Sequence, residues 1–140
     1  MLASLIQATH DPQPATKISA LKAIRESIGF MSTVLAQKPV RDHIMNLLIE
    51  ALKARETVEV ALQGISEFVK FNFEYMETYI VALLEATFPI ISTACSETIS
   101  ALDLWDFIGY EYLERINNAS RRMQNKEAGE NYWNESLMHQ

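Results

Sequence analysis

Few residues in this sequence have the types and spacing that chemistry requires. Cys95 is the single cysteine, and His10, His43 and His139 are scattered along the chain. A thiol nucleophile needs a base within hydrogen-bond reach, and no histidine is spaced to serve Cys95. It reads instead as a small hydrophobe. Glu135 and His139 share a helix face at i, i+4, but two ligands do not make a metal site. No HExxH, GxGxxG, P-loop or GxSxG pattern occurs, nor the Glu-x-x-His of ferritin-like di-iron helices. Asp103, Asp106, Glu111 and Glu114 follow one another along one helical stretch. They suit either a solvated face or an acidic surface for basic partners. No catalytic residue, metal ligand or cofactor is assigned, so the chain is expected to act by binding and not as an enzyme.

The elements that hold these residues are helices. Glycine and proline number 4 each in 140 residues, about half their usual share, which leaves few turns for a sandwich, barrel or doubly wound sheet. The net charge of −6 gives no basic footprint for direct nucleic-acid binding. A lone cysteine rules out an internal disulfide framework and suits a reducing compartment. No run of about 18 apolar residues exists, so membrane insertion is not expected. Met1-Leu-Ala-Ser-Leu-Ile6 lacks the basic opening of a secretory signal. It reads as the inside of an amphipathic helix without a cap, as in a piece cut from a longer chain.

Internal repetition organises the rest. Ile18-Ser-Ala-Leu-Lys-Ala-Ile24, Glu59-Val-Ala-Leu-Gln-Gly-Ile65 and Ile99-Ser-Ala-Leu-Asp-Leu-Trp105 share an Ala-Leu pair followed by a bulky apolar residue. The small alanine permits close helix approach, and the apolar positions form an inward stripe. Another apolar helix precedes each: Leu2 to Thr9, Val40 to Lys53, and Glu74 to about Ala94. The period of about 40 residues with two helices per unit fits HEAT repeats. The expected fold is all-α, a HEAT-type α-α superhelix of three antiparallel helix pairs and a partial fourth. Its repeats span residues 1–36, 37–72 and 73–116. Residues 117–131 read as a polar inter-repeat loop, and a last helix opens near Asn131 with Tyr132, Trp133, Leu137 and Met138 on its apolar face. Asp11 or Thr16, Thr57 and Ser96 are the candidate caps of the second helices. Pro89 should kink the third first helix or split it near Thr87.

The stretch Val60-Ala-Leu-Gln-Gly-Ile-Ser-Glu-Phe-Val69, with Phe71-Asn-Phe-Glu-Tyr-Met-Glu-Thr-Tyr79, resembles the importin-beta family of nuclear import receptors. Arg41-Asp-His-Ile-Met45 and Leu2-Ala-Ser-Leu-Ile-Gln7 resemble the same region, around the fifth to seventh repeats. The family's Glu-Phe-Trp signature is altered here: Asp106-Phe107 is followed by Ile108, and the tryptophan sits at Trp105. The resemblance implies binding of Phe-Gly nucleoporin repeats between neighbouring first helices, at the nuclear pore, in a protein shared by cytoplasm and nucleus. It places one groove at Leu2, Ala3, Ile6, His43 and Ile44, and a second at Leu47, Leu48, Tyr79 and Thr87. In the full receptor it further implies Ran-GTP and importin-alpha or basic cargo as partners. Glu59, Glu67, Asp103 and Asp106 would then contribute to an acidic inner wall. The competing expectation is a generic HEAT scaffold, of phosphatase-subunit or coat-adaptor type, with no nucleoporin binding.

Overall fold

A computed structural model describes the backbone of residues 2–138 and the side chains of residues 2–126. The chain is all-α. Its helices are α1 (Leu2–Ala8), α2 (Pro14–Ser27), α3 (Ser32–Leu35), α4 (Lys38–Ala51), α5 (Val58–Phe71), α6 (Ile80–Ser92) and α7 (Thr98–Met138). Two 3-10 turns, Ile28–Phe30 and Phe73–Thr78, link them. No strand occurs among the described residues. The chain divides into two compact units, Met1–Leu104 and Trp105–Gln140.

In the first unit the core is built around α5. Val58, Val60, Ala61, Leu62, Gly64, Ile65, Phe68 and Val69 are all buried. That leaves Glu59, Gln63 and Lys70 to solvent, the division an amphipathic helix makes when packed on two sides. α5 packs on α2 and α4, α1 packs on α2, and α4 packs on α6. Gly64 sets the closeness of α4: a Cβ there would lie 2.9 Å from Leu48 Cδ2. A side chain at residue 64 would oblige the enclosed Leu48 to shift.

Helix boundaries follow proline and spacing. Pro14 and Pro39 occupy the first turns of α2 and α4, where their lacking N–H costs nothing. The cap of α2 is Gln13, not Asp11 or Thr16; Asp11 Oδ1 instead accepts the Gln13 N–H at 2.8 Å. Thr57 precedes α5, but its hydroxyl donates back to the Ala51 carbonyl at 2.7 Å. It thereby satisfies the end of α4 rather than the start of α5.

A 3-10 turn and α3 fill the segment between α2 and α4. Two expectations are corrected. The expected helix from Glu74 begins as a 3-10 turn, in which Phe73, Met76 and Tyr79 are buried three residues apart, the spacing a three-per-turn helix places on one face. The break therefore falls at Tyr79, and α6 runs unbroken past Thr87 and Pro89 to Ser92. Glu85, whose carbonyl loses its helical donor to Pro89, lies at an exposed position.

In the second unit, the polar stretch 117–131 is helix, not loop. α7 carries through it to Met138. Arg, Met, Gln, Lys, Glu and Ala are good helix formers however polar they are, and no proline interrupts them. No separate helix opens at Asn131, and the side chains of Tyr132, Trp133, Leu137 and Met138 lie outside the described residues. Gly129 belongs to the same continuous helix.

Candidate functional site

Polar groups gather where the end of α3, α4 and the Phe73–Thr78 turn meet. Arg41 is buried, and its Nη1 donates to the carbonyls of Leu35 at 3.0 Å and Ala36 at 3.2 Å. Its guanidinium carbon lies 3.9 Å from the centre of the Tyr75 ring, a cation–π distance. The neighbouring Asp42 accepts from Lys38 Nζ at 2.7 Å and from the Tyr79 hydroxyl at 2.5 Å. The Tyr79 ring meets Phe68 edge-on, centroids 6.0 Å apart.

This geometry shifts two ionisations. The Lys38 ammonium, and after it the Tyr79 hydroxyl, hold the Asp42 carboxyl below its ordinary value. Burial, and then the bond to Asp42, push the Tyr79 phenol up to about 12. Arg41, Asp42, Tyr75 and Tyr79 thus hold one another, and the cluster works as a clasp between α4 and the start of α6. The two tyrosines of the Tyr75-Met-Glu-Thr-Tyr79 stretch and the Arg41-Asp42 pair, which stand out separately in the sequence, are the two halves of one contact.

Open space lies elsewhere in the first unit, beside the connectors. A pocket of about 240 Å³ is bounded by the α1–α2 turn, Lys17 and Leu21 of α2, and Leu47, Glu50 and Ala51 of α4. A larger one, about 820 Å³, lies between the α4–α5 connector and the second half of α6. Leu52, Val58, Ala86, Pro89 and Ile90 give it apolar walls, with Lys53, Arg55, Glu85 and Glu97 among its charged liners. Its volume falls within the range of small-molecule and peptide side-chain sites. The Ser96 hydroxyl, then the Cys95 thiol, hold the Glu97 carboxyl below its usual range. Cys95 is exposed at the pocket edge, with its Sγ 3.6 Å from the Ile90 carbonyl and 3.7 Å from Thr98 Oγ1. Beside it, Ala94 adopts φ of 50°, left-handed backbone in a residue with a Cβ.

The groove residues expected from sequence separate into two groups. Leu2, Ile6 and Leu47 are half-buried, and Ala3 and His43 are exposed. Ile44, Leu48 and Thr87 are fully enclosed at 0% exposure and Tyr79 is buried. These four are core, not groove lining. Ile44 and Leu48 fall on the same α4 face as Arg41 and Met45, while the Thr87 hydroxyl donates to the Leu83 carbonyl at 2.8 Å. None of the large pocket's apolar walls was assigned to a site from sequence. The available signals were Pro89 inside an apolar helix and the short connector that brings Leu52 and Val58 together.

Among the described residues, no group of three or more His, Cys, Asp or Glu is placed to hold a metal ion. No described helix is long and apolar enough to cross a membrane. Glu59, Asp103 and Asp106 are exposed, and Glu67 is half-buried beside Lys70 at 3.7 Å. No known family model, curated protein or solved structure matches the chain.

Proposed function

We propose that the chain is a binding segment of a HEAT-repeat transport receptor of importin-beta type, which takes up short Phe-Gly segments of nucleoporins and performs no catalysis. The observation that carries the reading is the 820 Å³ pocket with apolar walls beside α6. Phe rings need an aliphatic slot that is open to solvent and flanked by adjacent helices. Ala86 and Pro89 stand at the surface of such a slot, over a floor of buried Leu52, Val58 and Ile90. The packing of α1 on α2, α4 on α5, α2 on α5 and α4 on α6 supports stacked helix pairs, the arrangement in which neighbouring first helices flank a groove. Weak contact suits the role, since fast release governs passage. Ran-GTP, importin-alpha and basic cargo, with localisation at the nuclear pore, belong to the same proposal for a full receptor.

A titration with a Phe-x-Phe-Gly peptide, followed by methyl NMR, tests it. Shifts at Leu52, Val58 and Ile90 are expected at millimolar peptide and should vanish in Ala86→Trp, whose ring fills the pocket. Shifts at Ile6 that disappear in Ile6→Asp, with the helical circular-dichroism signal intact, would move the site to α1. No shift at either place defeats the proposal. That outcome favours the scaffold reading, which the burial of Ile44, Leu48, Tyr79 and Thr87 supports.

A further inference from the structure

In the second unit α7 carries an apolar stripe on its solvent face. Leu113, Ile116 and Met123 are 62%, 61% and 66% exposed. With Asp106, Gly109 and Ser120, also exposed, they repeat at alternating steps of three and four residues, the seam spacing of a two-stranded coiled coil. Charge divides the same stretch in two. Residues 103–114 hold Asp103, Asp106, Glu111 and Glu114 and no basic residue, whereas residues 115–126 hold Arg115, Arg121, Arg122 and Lys126 and no acidic one. The sign changes between Glu114 and Arg115, midway between Leu113 and Ile116.

We propose that α7 pairs with α7 of a second copy of this chain, antiparallel, about a two-fold axis at residues 114–115. In that register Leu113 faces the other copy's Ile116. Gly109 faces Ser120, small against small, which lets the helices approach closely. Each acidic half then lies along a basic half. A parallel pair would set acid beside acid and base beside base, so charge selects the antiparallel arrangement. The contact is isologous and closes on itself, giving a dimer rather than a fibre. It is independent of nucleoporin binding, which is placed in the other unit.

Sedimentation of the whole chain between about 1 and 100 µM, the range in which a weak pair assembles, reads the association. A concentration-dependent dimer is expected, weakened by raised salt as screening demands. Leu113→Asp with Ile116→Asp should weaken it by roughly tenfold or more, with helicity unchanged because both side chains are exposed. Arg121→Glu with Arg122→Glu should weaken it as well, without touching the apolar seam. Orientation is read with a spin label on Gln124→Cys in a Cys95→Ser chain. The antiparallel register sets the two labels about 30 Å apart from the helical rise, and a parallel pair sets them much closer. A wild-type chain that stays monomeric at 100 µM, a dimer indifferent to both double variants, or a short label distance overturns the proposal. Binding of α7 to some other protein by a monomeric chain would overturn it too.

Discussion

α5 and α7 begin from the same pattern and use it differently. Both open with an Ala-Leu pair followed by a bulky apolar residue. In α5, Ala61, Leu62 and Ile65 are all buried. In α7, Ala101 is buried, Leu102 is half in solvent, and Trp105 is half-buried. α5 has neighbours on two sides, α2 and α4, and so its apolar positions extend around most of the helix. The opening of α7 buries only one narrow row, Ala101 and Leu104 in the first unit. A repeated motif therefore fixes which residues can face a neighbour, but the number of neighbours decides how many do.

Core deletions measure that contrast most directly. Phe68→Ala should cost about 3–5 kcal/mol in denaturant unfolding, because a fully enclosed ring leaves a cavity its neighbours fill only in part. A loss below about 1 kcal/mol would mean that α5 is not the centre of the core. Arg41→Ala comes next, at about 2–3 kcal/mol, since the Leu35 and Ala36 carbonyls lose a charged donor and Tyr75 its cation. Gly64→Ala should cost about 1–2 kcal/mol through its clash with Leu48. Trimming Leu48 as well, as in Leu48→Ala, should make the glycine substitution nearly free relative to that background.

At the α6–α7 turn the sign reverses. Ala94→Gly should stabilise by about 1 kcal/mol, because glycine adopts the left-handed backbone without the Cβ penalty. Smallest of all, Leu102→Ala should stay within about 0.5 kcal/mol, as exposed positions do. If it matched Phe68→Ala, the two helices would not differ as described.

The clasp makes its own contribution to pH dependence. The depressed Asp42 carboxyl adds stability that is present above its unfolded value near 3.8 and is lost as pH falls through the lower folded one. The raised Tyr79 phenol adds stability below its unfolded value of 10.0 that is lost as pH climbs through about 12. Asp42→Asn and Tyr79→Phe should flatten the acid and alkaline limbs respectively in thermal melts across pH.

Much of this architecture was legible beforehand. The Ala-Leu motifs, the apolar stretch from Val40 and the connector before Val58 marked α2, α4 and α5 to within a few residues, because amphipathic period acts locally. Pro89 misled, since a helix tolerates one missing donor where the orphaned carbonyl reaches solvent. Residues 117–131 misled for another reason: polarity reports absence of burial, whereas helix formation there depends on propensity. The groove residues were hardest. Ile44, Leu48 and Tyr79 have the composition of either a slot or a core, and only the register of α4 against α5 and α6 distinguishes the two. The clasp between Arg41-Asp42 and Tyr75–Tyr79 joins segments more than thirty residues apart, so no local pattern announces it.

The α4–α5 connector carries a last consequence. Ala54 lines both the small pocket against α2 and the large one against α6. Thr57 ties this short loop to the end of α4. An occupant of one pocket that displaced Ala54 would change the volume offered to the other. Thermodynamic linkage then makes the effect mutual, each occupant altering the affinity of its neighbour by the same factor. Two adjacent sites with a common wall would then answer a tandem ligand as a coupled pair, through a loop that need not touch the ligand itself.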